Sequence, residues 1–260
     1  MCTHGPGYPW PIALSGHVPI GPDTGRSTID SVRATLDRNR LPALATTATA
    51  LLGLAIALIF FYAPTDADQG LSQRIFYFHV PIALTAYVCF GWGAWKALMH
   101  LWKGRQGADL ESYVAIHQGV VFGALTLLTG SIWAKISWGV WWAWSDDQLV
   151  LFLVLFLFYF AYFMLRFSID PGPARANMSA VYALFGVVLI PVSFLAIRLS
   201  RSFIHPVVFT SQGPQMTGSQ FLTFGVARVA MLSLFATLYQ LELAGKRLDA
   251  RLRELRELLA

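Results

Sequence analysis

The sequence predicts an all-α integral membrane protein with six transmembrane helices, both termini cytoplasmic, and a Trp-rich outer loop between helices 3 and 4. Three observations carry that prediction. Hydrophobic residues make up 56% of the 260 and charged residues only 13%, where a soluble domain carries roughly a quarter charged. The apolar residues gather into six runs near the length of about 20 that a spanning helix needs. Basic residues cluster on alternate connections, as the positive-inside rule requires.

Residues 1–42 read as a cytoplasmic tail, rich in Gly and Pro at its start, with the pattern of a short amphipathic helix at 30–40. It has no signal-peptide pattern, so the first span is expected to direct insertion. The spans are read at 43–63, 75–99, 112–134, 149–165, 180–197 and 219–241, together forming a membrane domain over 43–241. The fourth is the plainest, an almost unbroken run of Leu, Val and Phe. The fifth is short and contains Pro191, which is expected to kink it or end a half-helix. Residues 242–260 place leucines at helical spacing among Lys, Arg and Glu, the pattern of an amphipathic cytoplasmic helix leaving the membrane. Such a helix lies on the bilayer or packs on a partner.

Topology follows from the charges. The two tails and the second and fourth connections hold fourteen Lys and Arg; the other side holds Arg74, Lys135, Arg198 and Arg201. The net charge of +5 therefore reports orientation, not nucleic-acid binding. Cys2 and Cys89 are too few for a disulfide framework, and without a Cys-x-x-Cys pair there is neither a thiol relay nor covalent haem attachment by that motif. Cys89 reads as a small buried hydrophobe.

The third connection carries Trp138, Trp141, Trp142 and Trp144, four tryptophans in seven residues, followed by acids. Interfacial anchoring calls for fewer. A broad, flat apolar ligand would use them. Two histidines fall on the same outer side: His79, near the start of span two, and His205, in the fifth connection. Haem iron accepts one imidazole on each face, and indoles stack on a porphyrin. The propionates call for cations, with Arg74, Lys135, Arg198 and Arg201 as the outer candidates. Each piece has a plainer reading. A lone interfacial His serves as a hydrogen-bonded wedge, tryptophans form aromatic belts, and Arg74 and Lys135 set topology. His117 sits deeper and reads as a packed or hydrogen-bonded helix residue. Arg228, inside the sixth span, points to a buried acidic or anionic partner. Asp66, Asp68 and Gln69 read as solvated loop residues.

The run Trp138-Gly139-Val140-Trp141-Trp142-Ala143-Trp144 resembles the tryptophan-rich WWD motif of the CcmC/CcsA family of cytochrome c-type biogenesis proteins. Tyr77-Phe78-His79-Val80-Pro81 matches as well, as do Ala63-Pro64-x-Asp66-x-x-Gln69-Gly70 with Arg74, and Thr129-Gly130-Ser131-x-Trp133-x-Lys135. The resemblance covers about residues 43–245. It implies haem b bound transiently and non-covalently at the outer (periplasmic) face of an inner membrane, with His79 and His205 as axial ligands and the Trp loop against the ring. It further implies transfer to a membrane-anchored haem chaperone (CcmE-like). The implied partners are ABC transporter subunits (CcmA-like and CcmB-like) and a small one-span subunit (CcmD-like). The chain lacks a phosphate-binding glycine loop, in keeping with an ATPase on other subunits. Two departures stand out: the family's Trp-Asp-x-Arg is here Trp144-Ser145-Asp146-Asp147, which leaves Asp146 for the acidic role, and His205 precedes Pro206.

The leading reading is a non-enzymatic haem carrier. The alternatives are a subunit of a cytochrome c haem lyase, a transmembrane electron-transfer cytochrome, and a small-solute transporter. The lyase would carry more spans or a further histidine pair. The cytochrome would need histidines at matching depth on facing helices, and the transporter inverted repeats.

Overall fold

The computed structural model describes residues 40–105, 107–199, 209–210 and 213–259. Six of its helical segments are long and apolar enough to cross a membrane, and the described architecture is all-α apart from one two-residue strand pairing. With nothing in hydrocarbon to satisfy peptide groups, a spanning segment must close its own hydrogen bonds, and helices do so.

Helix α1 (Arg40–Ala57) continues through a π-helical turn, Leu58–Tyr62. After a tight connection, a 3-10 turn (Leu71–Ile75) leads into α2 (Phe76–Lys103). Helix α3 (Ala108–Trp138) runs back beside α2 and ends at Gly139, whose φ of +77° a side chain rarely adopts. The Trp loop follows, then α4 (Asp147–Phe167). The fifth span is broken: α5 (Pro173–Phe185), a 3-10 turn (Gly186–Val188) and α6 (Leu189–Leu199). Pro191 has no N–H to offer Val187 and its ring crowds that carbonyl, so the break falls within the preceding turn. The strands β1 (Phe209–Thr210) and β2 (Gly213–Pro214) pair antiparallel. Helix α7 (Gly218–Leu259) runs unbroken for 42 residues. That is about 63 Å, roughly twice the hydrocarbon thickness, so the sixth span and the C-terminal amphipathic segment are one rod.

Packing centres on α2. It lies against α3 so closely that a Cβ on Gly93 would meet Ile116 Cγ1 at 2.6 Å, and one on Gly119 would meet the Phe90 ring at 2.6 Å. Small residues that let backbones approach are how helices gain contact in lipid. Phe90 in turn stacks on Tyr159 of α4, centroids 4.1 Å apart and planes 4° from parallel. Cys89 is fully buried in this core, as its residue type suggests.

At the end of the bundle away from the Trp loop, the polar groups answer one another. Glu111 pairs with Lys96 at 2.7 Å, Arg105 at 3.5 Å and Arg247 at 3.4 Å. Arg166 forms a two-pronged pair with Asp109, both contacts 2.7 Å. His117 Nδ1 lies 2.8 Å from Glu242, so it is the hydrogen-bonded helix residue expected. These bonds join α2, α3, α4 and α7. Among the described residues Arg228 meets no acid: it donates to the Thr85 hydroxyl at 3.0 Å and to the Pro81 carbonyl at 3.5 Å. Both of these acceptors are neutral.

Candidate functional site

His79 lies in the first turn of α2, where the chain enters the bundle from the Trp-loop end. Its ring is buried and is held by one stretch of α3. Nδ1 is 3.0 Å from Thr129 Oγ1. The Trp133 ring sits edge-on to it, centroids 5.7 Å apart at 67°. Gly130 leaves the ring its space, since a Cβ there would stand 2.8 Å from His79 Cε1. Trp133 is itself held, its indole N–H donating to Gln69 Oε1 at 3.2 Å. Gln69 is therefore more than a solvated loop residue. Its position is set by Asp66, whose carboxylate accepts the backbone N–H of Asp68 at 3.0 Å and of Gln69 at 2.8 Å.

The Trp loop begins about 8 to 14 Å further along α3, by the helical rise from Trp133 and Thr129. Trp138 and Trp142 are half-buried, and Trp141 and Trp144 are exposed at 60% and 73%. Trp142 and Trp144 meet edge to face, centroids 5.9 Å apart. The indole N–H of Trp142 is buried and has no acceptor among the described residues. A buried donor without an acceptor is costly, and a ligand carboxylate or carbonyl would relieve it.

The charged candidates have local tasks. Arg74 donates to the Ile59 carbonyl and lies over the Phe60 ring at 5.5 Å, tying α1 to the start of α2. Exposed Lys135 donates to the Gly139 carbonyl at 2.9 Å, closing the end of α3. Asp146 is fully buried, and its carboxylate accepts the Leu149 N–H at 3.0 Å as the N-cap of α4. It shapes the loop from within. His205 and Arg201 lie outside the described residues, as does the side chain of Arg198.

Sequence reasoning quoted Thr129, Gly130 and Trp133 in a motif but gave them no role beside His79. The signal was their placement at i, i+1 and i+4, within about one turn of one helix. Among the described residues no three His, Cys, Asp or Glu side chains converge on a point. The donor set does not make a cage for a bare ion. A fixed imidazole at the same end of the bundle as an aromatic platform, whose Trp142 N–H has no acceptor among the described residues, fits iron that arrives in its own macrocycle.

The family model described as CcmC, Heme exporter protein C, matches residues 29–257. The chain belongs to this family. Haem exporter protein C of Paracoccus denitrificans is 30% identical over 200 residues, covering 77% of this chain and 82% of that one. Its counterpart in Bradyrhizobium diazoefficiens is 30% identical over 222 residues, 82% and 84% of the two chains. The Escherichia coli K12 protein of that name is 33% identical over 152 residues, 58% and 62%. The haem exporter protein C resemblance thus takes in all six spans, the Trp loop and the stretch of α3 that holds His79.

Proposed function

We propose that this chain binds haem at the outer face of the membrane and passes it to a membrane-anchored haem chaperone in cytochrome c maturation. One observation carries the reading. A buried histidine, locked by Thr129, Gly130 and Trp133, stands at the same end of the bundle as exposed indoles and a Trp142 N–H without an acceptor among the described residues. Family membership and the relatives' name support haem as the cargo.

In this reading His79 supplies one imidazole and His205 the other. Haem itself brings an iron with two axial positions. Trp141 and Trp144 give a face for the ring, Trp138 and Trp142 back them, and the Trp142 N–H together with Arg74, Lys135 and Arg201 meets the propionates. Asp146 holds the loop's exit. Two imidazoles leave the iron no open position, which suits carrying over catalysis. A surface loop suits release to a partner, with ABC-type subunits and a small one-span subunit as companions. Orientation follows from the basic residues: both termini cytoplasmic, the Trp loop periplasmic. His117 is engaged with Glu242 at the opposite end of the bundle, which speaks against a second haem and an electron-transfer cytochrome.

Titrating haem into the detergent-purified chain tests this. A saturating low-spin spectrum is expected, followed by loss of haem to added chaperone. A chain that takes up no haem contradicts it.

A further inference from the structure

We propose that Thr129 sets the tautomer of His79: its hydroxyl oxygen accepts a hydrogen bond from Nδ1–H, which leaves the imidazole lone pair on Nε2 and makes Nε2 the atom presented to iron. The last clause rests on the haem reading. The tautomer does not.

A count of protons decides the tautomer. Thr129 Oγ1 has three polar neighbours: the Leu125 carbonyl at 2.8 Å, the Thr126 carbonyl at 3.3 Å and His79 Nδ1 at 3.0 Å. A hydroxyl has one proton and two lone pairs. A carbonyl oxygen has only lone pairs, so a 2.8 Å contact with it is a hydrogen bond only when the hydroxyl donates. Were the proton turned to the histidine, two oxygens would face each other lone pair to lone pair. With the proton committed to the helix backbone, Oγ1 meets Nδ1 as an acceptor, and Nδ1 must carry hydrogen. A neutral imidazole carries only one, so Nε2 carries no hydrogen.

The geometry also fixes where the ring stands. Thr129, Gly130 and Trp133 lie within about one turn of α3. Gly130 gives close passage to Cε1, and Trp133 blocks the ring from swinging aside. Thr129 is a positioning residue, acting through His79. An imidazole whose second nitrogen donates a hydrogen bond is oriented and made more basic as a ligand, and loss of such a partner lowers metal affinity roughly tenfold or more.

The test uses the full chain in lipid bilayers, with histidine nitrogens labelled with 15N and no haem present. The His79 signals are identified by their loss in His79→Gln. Solid-state NMR is expected to show protonated Nδ1 and unprotonated Nε2 in the wild type and in Thr129→Ser. In Thr129→Val, which keeps the shape and removes the acceptor, both tautomers should appear. Haem titration should then show affinity about tenfold lower for Thr129→Val and restored in Thr129→Ser. A protonated Nε2 in the wild type, or a tautomer unmoved by Thr129→Val, overturns the proposal. If the tautomer is as stated but the wild type takes up no haem, the haem reading fails and the Thr129 assignment stands.

Discussion

Where Glu111, Asp109 and Glu242 lie, each carboxylate faces at least one cation within 3.6 Å, and the pairs of Glu111 with Lys96 and Arg247 and of Asp109 with Arg166 stitch four helices together. Where the Trp loop lies, Arg74 and Lys135 turn to backbone carbonyls, Asp146 caps a helix, and the Trp142 N–H has no acceptor among the described residues. The first end pairs its buried charges with one another, although the Ser112 and Tyr239 hydroxyls there are buried without a hydrogen-bond partner among the described residues. The second leaves exposed indoles, and a donor without an acceptor among the described residues, at the same end of the bundle as a locked histidine. The difference separates the scaffold from the working surface: stability should depend on the first end, and ligand retention on the second.

Breaking the closed end should do the most damage to the fold. Arg166→Leu leaves the Asp109 carboxylate without its two-pronged partner in a largely buried site. A loss of about 3 kcal/mol is expected, read by thermal unfolding in detergent. Removing a cap at the other end should cost less. Asp146→Ala deprives the Leu149 N–H of its acceptor, an expected loss of about 1 kcal/mol that Asp146→Asn largely recovers. Trp141→Ala combined with Trp144→Ala should sharpen the contrast most. Both rings are exposed, so stability should change by no more than about 0.5 kcal/mol, while the chain loses haem faster on dilution. If the double variant unfolds or leaves the membrane instead, the tryptophans are an anchoring belt.

Much of this was legible in the sequence because lipid imposes a simple rule on composition. Six apolar runs became six crossing segments, with ends that shifted for local reasons. The fifth span begins at Pro173, seven residues ahead of its apolar run, because Pro at a helix start is preorganised there and the first turn needs no apolar face. The sixth continues to Leu259 because nothing after residue 241 stops a helix. Histidine and tryptophan announce a site by their type. Thr129 and Gly130 do not, since their roles exist only relative to a ring fifty residues away in the chain. Arg228 is similar: its acceptors among the described residues, a threonine hydroxyl and a carbonyl, are too common in sequence to be noticed as partners. Asp146 was read by its charge, although an acid just before an apolar run is also a helix-start signal.

The most direct measurement is the absorption spectrum of the haem-loaded chain beside those of His79→Ala and His205→Ala. This account predicts a low-spin, two-imidazole spectrum in the wild type and its loss, with weakened haem retention, in each variant. An unchanged low-spin spectrum and full haem content in both variants would contradict it.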